Sequence, residues 1–236
     1  MQQLMDNLKI LTLLEQQRDR LFEKLKVTSI SRLYKEQYED LKSGKVFVFD
    51  NKKKQMLSDL NKLSKDTSLD NSYKNKVAKY VSLDNESLLA HFQKEFDRVI
   101  NEIINSGRQD EIQALFIEYD DYDYAISSIT CYGPQDYPIL EEPRYILGEY
   151  DYNKQVLFIE EGINFHPAWV DCGEFGNLDY LDINIDLQNL FQLHSRVLLH
   201  KALLNINDKL SFFKFRPVYF YINEHDNEEM TLYVLN

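Results

Sequence analysis

Apolar residues recur at intervals of three and four through the first 110 positions, then give way to short continuous or alternating runs. The first pattern is the signature of amphipathic helices and the second of strands. Leu4, Leu8, Leu11, Leu14, Leu21, Phe22 and Leu25 predict a helix over 3–26. Thr28 and Ser29 offer an N-cap for a second helix through Leu33, Tyr34, Tyr38 and Leu41, with Gly44 as its stop. Residues 45–50, KVFVFD, read as a brief strand-like interruption. Helical spacing resumes with Met56, Leu57, Leu60 and Leu63, and the polar stretch 65–73 reads as turn before a short helix over 73–82. Asp84 is an N-cap for a helix over 85–106 with the stripe Leu88, Leu89, Phe92, Phe96, Ile100, Ile103 and Ile104, and Gly107 ends it.

Residues 113–133, QALFIEYDDYDYAISSITCYG, mark the change of texture. They predict two adjacent strands joined through an acidic, tyrosine-bearing turn. A proline-bearing loop follows over 133–143, then candidate strands over 144–152 and 155–160. Residues 162–180, with Pro167, Gly173 and Gly176, read as irregular. Asp186 is expected to cap a helix running to about residue 204, with the stripe Leu187, Leu190, Phe191, Val197 and Leu198. Val218, Phe220 and Ile222 alternate with tyrosines, and 230–235 returns as the second arm of a hairpin. Helices followed by a meander of strands predict an α+β fold: a helical N-terminal layer packed on a mostly antiparallel sheet, with one further helix. The organisation expected is a helical region over 1–110 and an acidic α+β region over 111–236, or one continuous domain.

Charge sharpens that division. Residues 1–110 carry 20 Lys+Arg against 17 Asp+Glu, which is +3; residues 111–236 carry 7 against 22, which is −15, and together they give the net −12 of the 236-residue chain. A field of one sign over the second half disfavours nucleic acid and anionic membrane as its partners and favours a basic protein. A merely solvated acidic surface is the competing reading. No stretch reaches the roughly 18 apolar residues of a membrane span. The first twenty residues lack a basic start and an unbroken apolar run, so no secretory signal is expected there. A cytoplasmic protein with two unlinked, reduced thiols, Cys131 and Cys172, is the expectation.

Candidate chemistry is sparse. Phosphate-binding glycine loops and the serine-hydrolase elbow are missing from the sequence. Asp182, Asn184 and Asp186 imitate the opening of a calcium loop, but Leu187 and Leu193 stand where a glycine and a bidentate glutamate are required. Strand alternation and a helix cap explain them better. His166 and Cys172 share the 162–180 segment and offer only two metal ligands or an unproven nucleophile pair. His194 lies in a helical stripe and reads as a core residue, whereas His200 and His225 read as surface residues. No metal or cofactor site follows from these residues, and no catalytic residue is singled out.

The partner-binding residues expected are Glu118, Tyr119, Asp120, Asp121, Tyr122, Asp123 and Tyr124, with Tyr150 and Asp151. Tyrosine supplies contact area at low entropic cost, and carboxylates beside it steer a basic partner. The helix over 85–106 followed by ALFIEYD, an acidic turn and ISSITCYG resembles the acidic α+β immunity proteins encoded beside bacterial polymorphic toxins. The likeness covers about residues 85–135 and has no diagnostic motif, so no functional residue is carried over. It implies a bacterial cytoplasmic inhibitor that occludes the active site of a cognate toxin. A carboxylate-based enzyme, metal-dependent or not, and a scaffold protein that assembles through its N-terminal helices remain the alternative readings.

Overall fold

The computed structural model describes residues 2–119, 127–142, 144, 151–168, 183–224 and 228–236. Its α-helices are α1 (Gln2–Lys26), α2 (Ile30–Ser43), α3 (Asp50–Leu63), α4 (Thr67–Val81), α5 (Asn85–Ser106) and α6 (Ile183–Asn205). Its strands are β1 (Ala114–Tyr119), β2 (Ser128–Tyr132), β3 (Gln155–Ile159), β4 (Val218–Glu224) and β5 (Met230–Leu235). The class is α+β. Contacts divide the chain into two compact units: Met1–Arg18, Asp84–Trp169 and Gln192–Asn236 form one, and Asp19–Leu83 with Val170–Phe191 the other.

The second unit is helical. Ser29 caps α2 by accepting from the Arg32 N–H, and Gly44 ends it at φ 78°, a left-handed conformation that glycine adopts without a Cβ penalty. The Asp70 carboxylate in α4 reinforces the same helix start, accepting from Ile30 N at 2.6 Å and Ser31 Oγ at 2.6 Å. Leu25, Ile30, Tyr34, Leu41, Leu60, Tyr73, Leu187 and Phe191 are buried together. The Tyr73 hydroxyl donates to Leu25 O at 2.7 Å, which satisfies the one polar atom its ring brings inside.

Two local expectations are corrected in this unit. Residues 45–49 form no strand, because no strand among the described residues adjoins them to complete a ladder. Val48 instead packs against the core while Phe47 and Phe49 stand 84% and 70% exposed, their rings 5.6 Å apart. α4 also begins at Thr67 and not at 73. The Asp66 carboxylate accepts from Ser68 N at 3.0 Å, so polar residues read as a turn are a cap and a first helical turn.

The first unit is built on a sheet of order β3-β2-β1-β4-β5, antiparallel except for the β1–β4 pair. The α5 bounds are those the spacing predicts: Asp84 caps Glu86 N and Ser87 N, and Gly107 closes at φ 69°. Leu88, Phe92, Phe96, Val99, Ile100 and Ile103 form its buried stripe, while Ile104 is 42% exposed.

Alternation along β1 sends Ala114 and Phe116 to one face and Leu115, Ile117 and Tyr119 to the other. On the first face Phe116 stacks on Tyr221 at 4.7 Å and meets the edge of Tyr132. Tyr137 and Leu140 from the segment after β2 join that cluster. The Tyr137 hydroxyl donates to Gly133 O and the Tyr221 hydroxyl to Pro138 O. On the other face His200 of α6 meets Tyr233 edge-on, and Phe213 meets Phe220.

α6 starts at Ile183, which places Asp186 in its first turn and not at the cap. A carboxylate there suits the positive end of the helix dipole, and it pairs with Lys24 at 2.7 Å.

Candidate functional site

The parallel strands β1 and β4 end side by side. Glu118 stands in register with Asn223 on β4 and with Ser128 on β2, and Tyr119 with Glu224. Glu118 is half-buried and Asn223 is 1% exposed. Tyr119 is buried: its ring lies 5.4 Å from Phe165 and its hydroxyl accepts from Arg196 Nη2 at 2.9 Å. Its ring therefore serves the core of this corner, and its hydroxyl ties α6 to the end of β1. Asp151 is exposed and accepts from Asn153 N at 3.0 Å and from Asn153 Nδ2 at 2.9 Å. Its own N–H donates to Gln135 Oε1 at 3.2 Å, which brings the turn before β3 to the segment after β2. Asp120, Asp121, Tyr122, Asp123, Tyr124 and Tyr150 lie outside the described residues.

A second set of residues fixes the chain just after β3. Gly162 N donates to Ser127 O, and Ile163 N donates to Ser127 Oγ at 2.7 Å. A Cβ at Gly162 would come within 2.6 Å of Ser127 Oγ and 2.8 Å of Ser127 O, so only glycine fits this approach. From α5, Arg98 donates to the carbonyls of Glu161 and Gly162, and Glu95 accepts from Asn164 N at 3.2 Å. Sequence reasoning missed this clamp. Its one local signal is a glycine directly after a strand-like run.

Around this frame several carboxylates face solvent, although Glu118 is half-buried and Glu229 is buried. Asp136, Glu141, Asp151, Glu160 and Glu161 are all exposed. Lys154, the cation nearest in sequence to β3, spends its ammonium on Pro134 O at 2.7 Å. The acidity of the second half is thus displayed at the turn before β3, directly after it, and in the segment after β2.

The thiol and imidazole groups are built into the core. Cys131 is free and buried, and burial pushes its thiol up to about 12, far from a reactive thiolate. His194 is 5% exposed, and burial with Arg18 and Lys201 nearby pushes it down to about 4. It is therefore neutral, and its Nε2–H donates to Asn85 Oδ1 at 2.8 Å. His200, expected at the surface, is fully buried; burial lowers its pKa, and Nδ1 donates to Leu232 O at 2.6 Å. The reason is that α6 is enclosed on nearly every side over 194–200. His166 is exposed, while Cys172, Trp169 and His225 lie outside the described residues.

Among the described residues no group of three or more His, Cys, Asp or Glu is placed to hold a metal ion. No helix among them is long and apolar enough to cross a membrane. No protein-family model matches the chain, and neither the curated proteins nor the solved structures contain a match.

Proposed function

We propose that this chain is an acidic binding protein that docks on a basic protein and inhibits it, in the manner of a cytoplasmic immunity protein neutralising a toxin domain. The carrying observation is the charge split, +3 over residues 1–110 and −15 over 111–236. The exposure of Asp136, Glu141, Asp151, Glu160 and Glu161 supports it, because exposed charges are the ones that steer a partner. Glu118 near the end of β1, and Asp120, Asp121 and Asp123 next in sequence, add to the charge of the second half. Inhibition, and not binding alone, comes from the resemblance to immunity proteins. Carboxylates set association rate and partner choice, while apolar anchors hold the complex.

The test begins with capture of a partner from the source cells by the tagged chain. The purified partner is then assayed for its own activity with and without this protein. A basic partner whose activity falls in proportion to bound inhibitor supports the reading. A partner without excess positive charge, or one whose activity is untouched, refutes it.

A further inference from the structure

We propose that the outer edge of β3 accepts an extended, cation-bearing segment of the partner as an added strand of the sheet. This rests on the reading of the chain as an acidic binding protein and adds the site and mode of contact. The two edges of the sheet are treated differently. At β5 the outward backbone is satisfied: Asn7 accepts from Val234 N at 3.0 Å and donates to Val234 O at 2.8 Å. Thr231 N donates to Leu140 O at 3.4 Å, and just before the strand the backbones of Arg144 and Glu229 bond to each other twice, at 2.9 and 3.0 Å. β5 is buried along its whole length.

At β3 the inner side pairs with β2, and among the described residues no backbone group pairs with its outer side. An unpaired edge is a template for another strand, and proteins usually blunt it with a proline, an inward charge or a cover. The β3 sequence Gln155-Val156-Leu157-Phe158-Ile159 contains neither a proline nor a charge. Phe158 is 52% exposed, and Val156 and Leu157 are half-buried, so the strand offers apolar contact beside its free backbone.

Charge selects the occupant. Asp151 lies before the strand, and Glu160 and Glu161 follow it, all exposed. An incoming strand with lysine or arginine near both ends and an apolar side chain opposite Phe158 meets these carboxylates and that ring, while the cation beside the strand, Lys154, is turned to Pro134 O. Backbone pairing would supply affinity and the carboxylates would supply selection, the division of labour typical of strand addition. The clamp of Arg98 and Ser127 on residues 161–163 holds the far end of the edge in place, so little ordering is left to the moment of binding.

The probe is a synthetic peptide of about nine residues alternating lysine and valine, beside a copy N-methylated on the amides that would face β3. Affinity is read by titration, and amide hydrogen exchange is read by NMR. The plain peptide is expected to slow exchange of the outward β3 amides, and N-methylation to weaken binding at least about tenfold. Phe158→Lys, a change at an exposed position, should weaken the plain peptide by a similar factor. If both peptides bind equally and the β3 amides stay unprotected, strand addition is overturned while the acidic-surface reading stands. If neither peptide binds, strand addition is overturned, and the acidic-surface reading is decided separately by the partner's charge and activity.

Discussion

His194 makes the stability of this protein depend on pH in a window that carboxylates leave alone. Folded, it is neutral, because burial and the nearby Arg18 and Lys201 push its pKa to about 4 from an ordinary 6.5. Unfolded, it titrates at the ordinary value. Below pH 6.5 the unfolded chain takes up a proton that the folded chain refuses, so stability is present above 6.5 and lost as pH falls toward 4. Two protonation curves with those midpoints give a loss of about 2 kcal/mol from this residue alone between about pH 7.5 and about pH 5. His200, also lowered by burial, acts in the same direction. Asp70 acts lower: burial raises its pKa, but hydrogen bonds from Ser31 and Ile30 outweigh that and hold it below its ordinary 3.8. The assay is urea unfolding of wild type and His194→Gln across that pH range, a denaturant that leaves charge interactions unscreened. The variant is expected to be less stable at neutral pH and to lose about 2 kcal/mol less on acidification. Parallel curves, or an NMR titration of His194 with a midpoint near 6.5, would refute the buried, neutral assignment.

Phe96 is 3% exposed on the buried stripe of α5, so Phe96→Ala should cost about 3–5 kcal/mol in denaturant melts, and a loss below about 1 kcal/mol would remove that stripe from the core. Cys131 should resist alkylation in the native protein at neutral pH and react once the chain is unfolded without reductant; rapid native labelling at that residue would contradict its burial and raised pKa. Phe47→Ser with Phe49→Ser should change stability by no more than about 0.5 kcal/mol, because both rings face solvent, and a large loss would mean that they are covered.

Much of the fold was legible where the signal is local. The α5 helix carries its cap, its stripe and its stop within 24 consecutive positions, 84–107, and its predicted bounds agree with the structure. The strand runs from Ala114, Gln155, Val218 and Met230 are strands for the reason their apolar patterns suggest. The order β3-β2-β1-β4-β5 was not legible, since the parallel β1–β4 pairing joins residues about a hundred positions apart and has no local signature. Residues 45–50 show the reverse failure: alternating Phe and Val favour a strand, but a strand needs a partner and none among the described residues adjoins it.

At the candidate site the carboxylates were legible as a field and the tyrosines were not legible individually. Tyr119, Tyr132 and Tyr137 are core rings, and the hydroxyls of Tyr119 and Tyr137 bond to Arg196 and to Gly133 O inside the protein. A tyrosine with an internal partner and one facing solvent read alike in sequence. His200 was misplaced because a histidine in a helix carries no mark of how many sides of that helix are covered.

The most direct test of an acidic docking surface is the association rate of the captured partner at low and high ionic strength, with wild type and with Asp120→Lys, Asp121→Lys and Asp123→Lys combined. Exposed charges are screened beyond roughly 8–10 Å at physiological ionic strength, so steering must show in this comparison. The wild-type rate should fall as salt rises, the charge reversals should slow association, and the reversed protein should depend less on salt. Tyr122→Ala should act on dissociation instead. An association rate indifferent to both salt and the reversals would contradict the account and leave the −15 of the second half as a solubility feature.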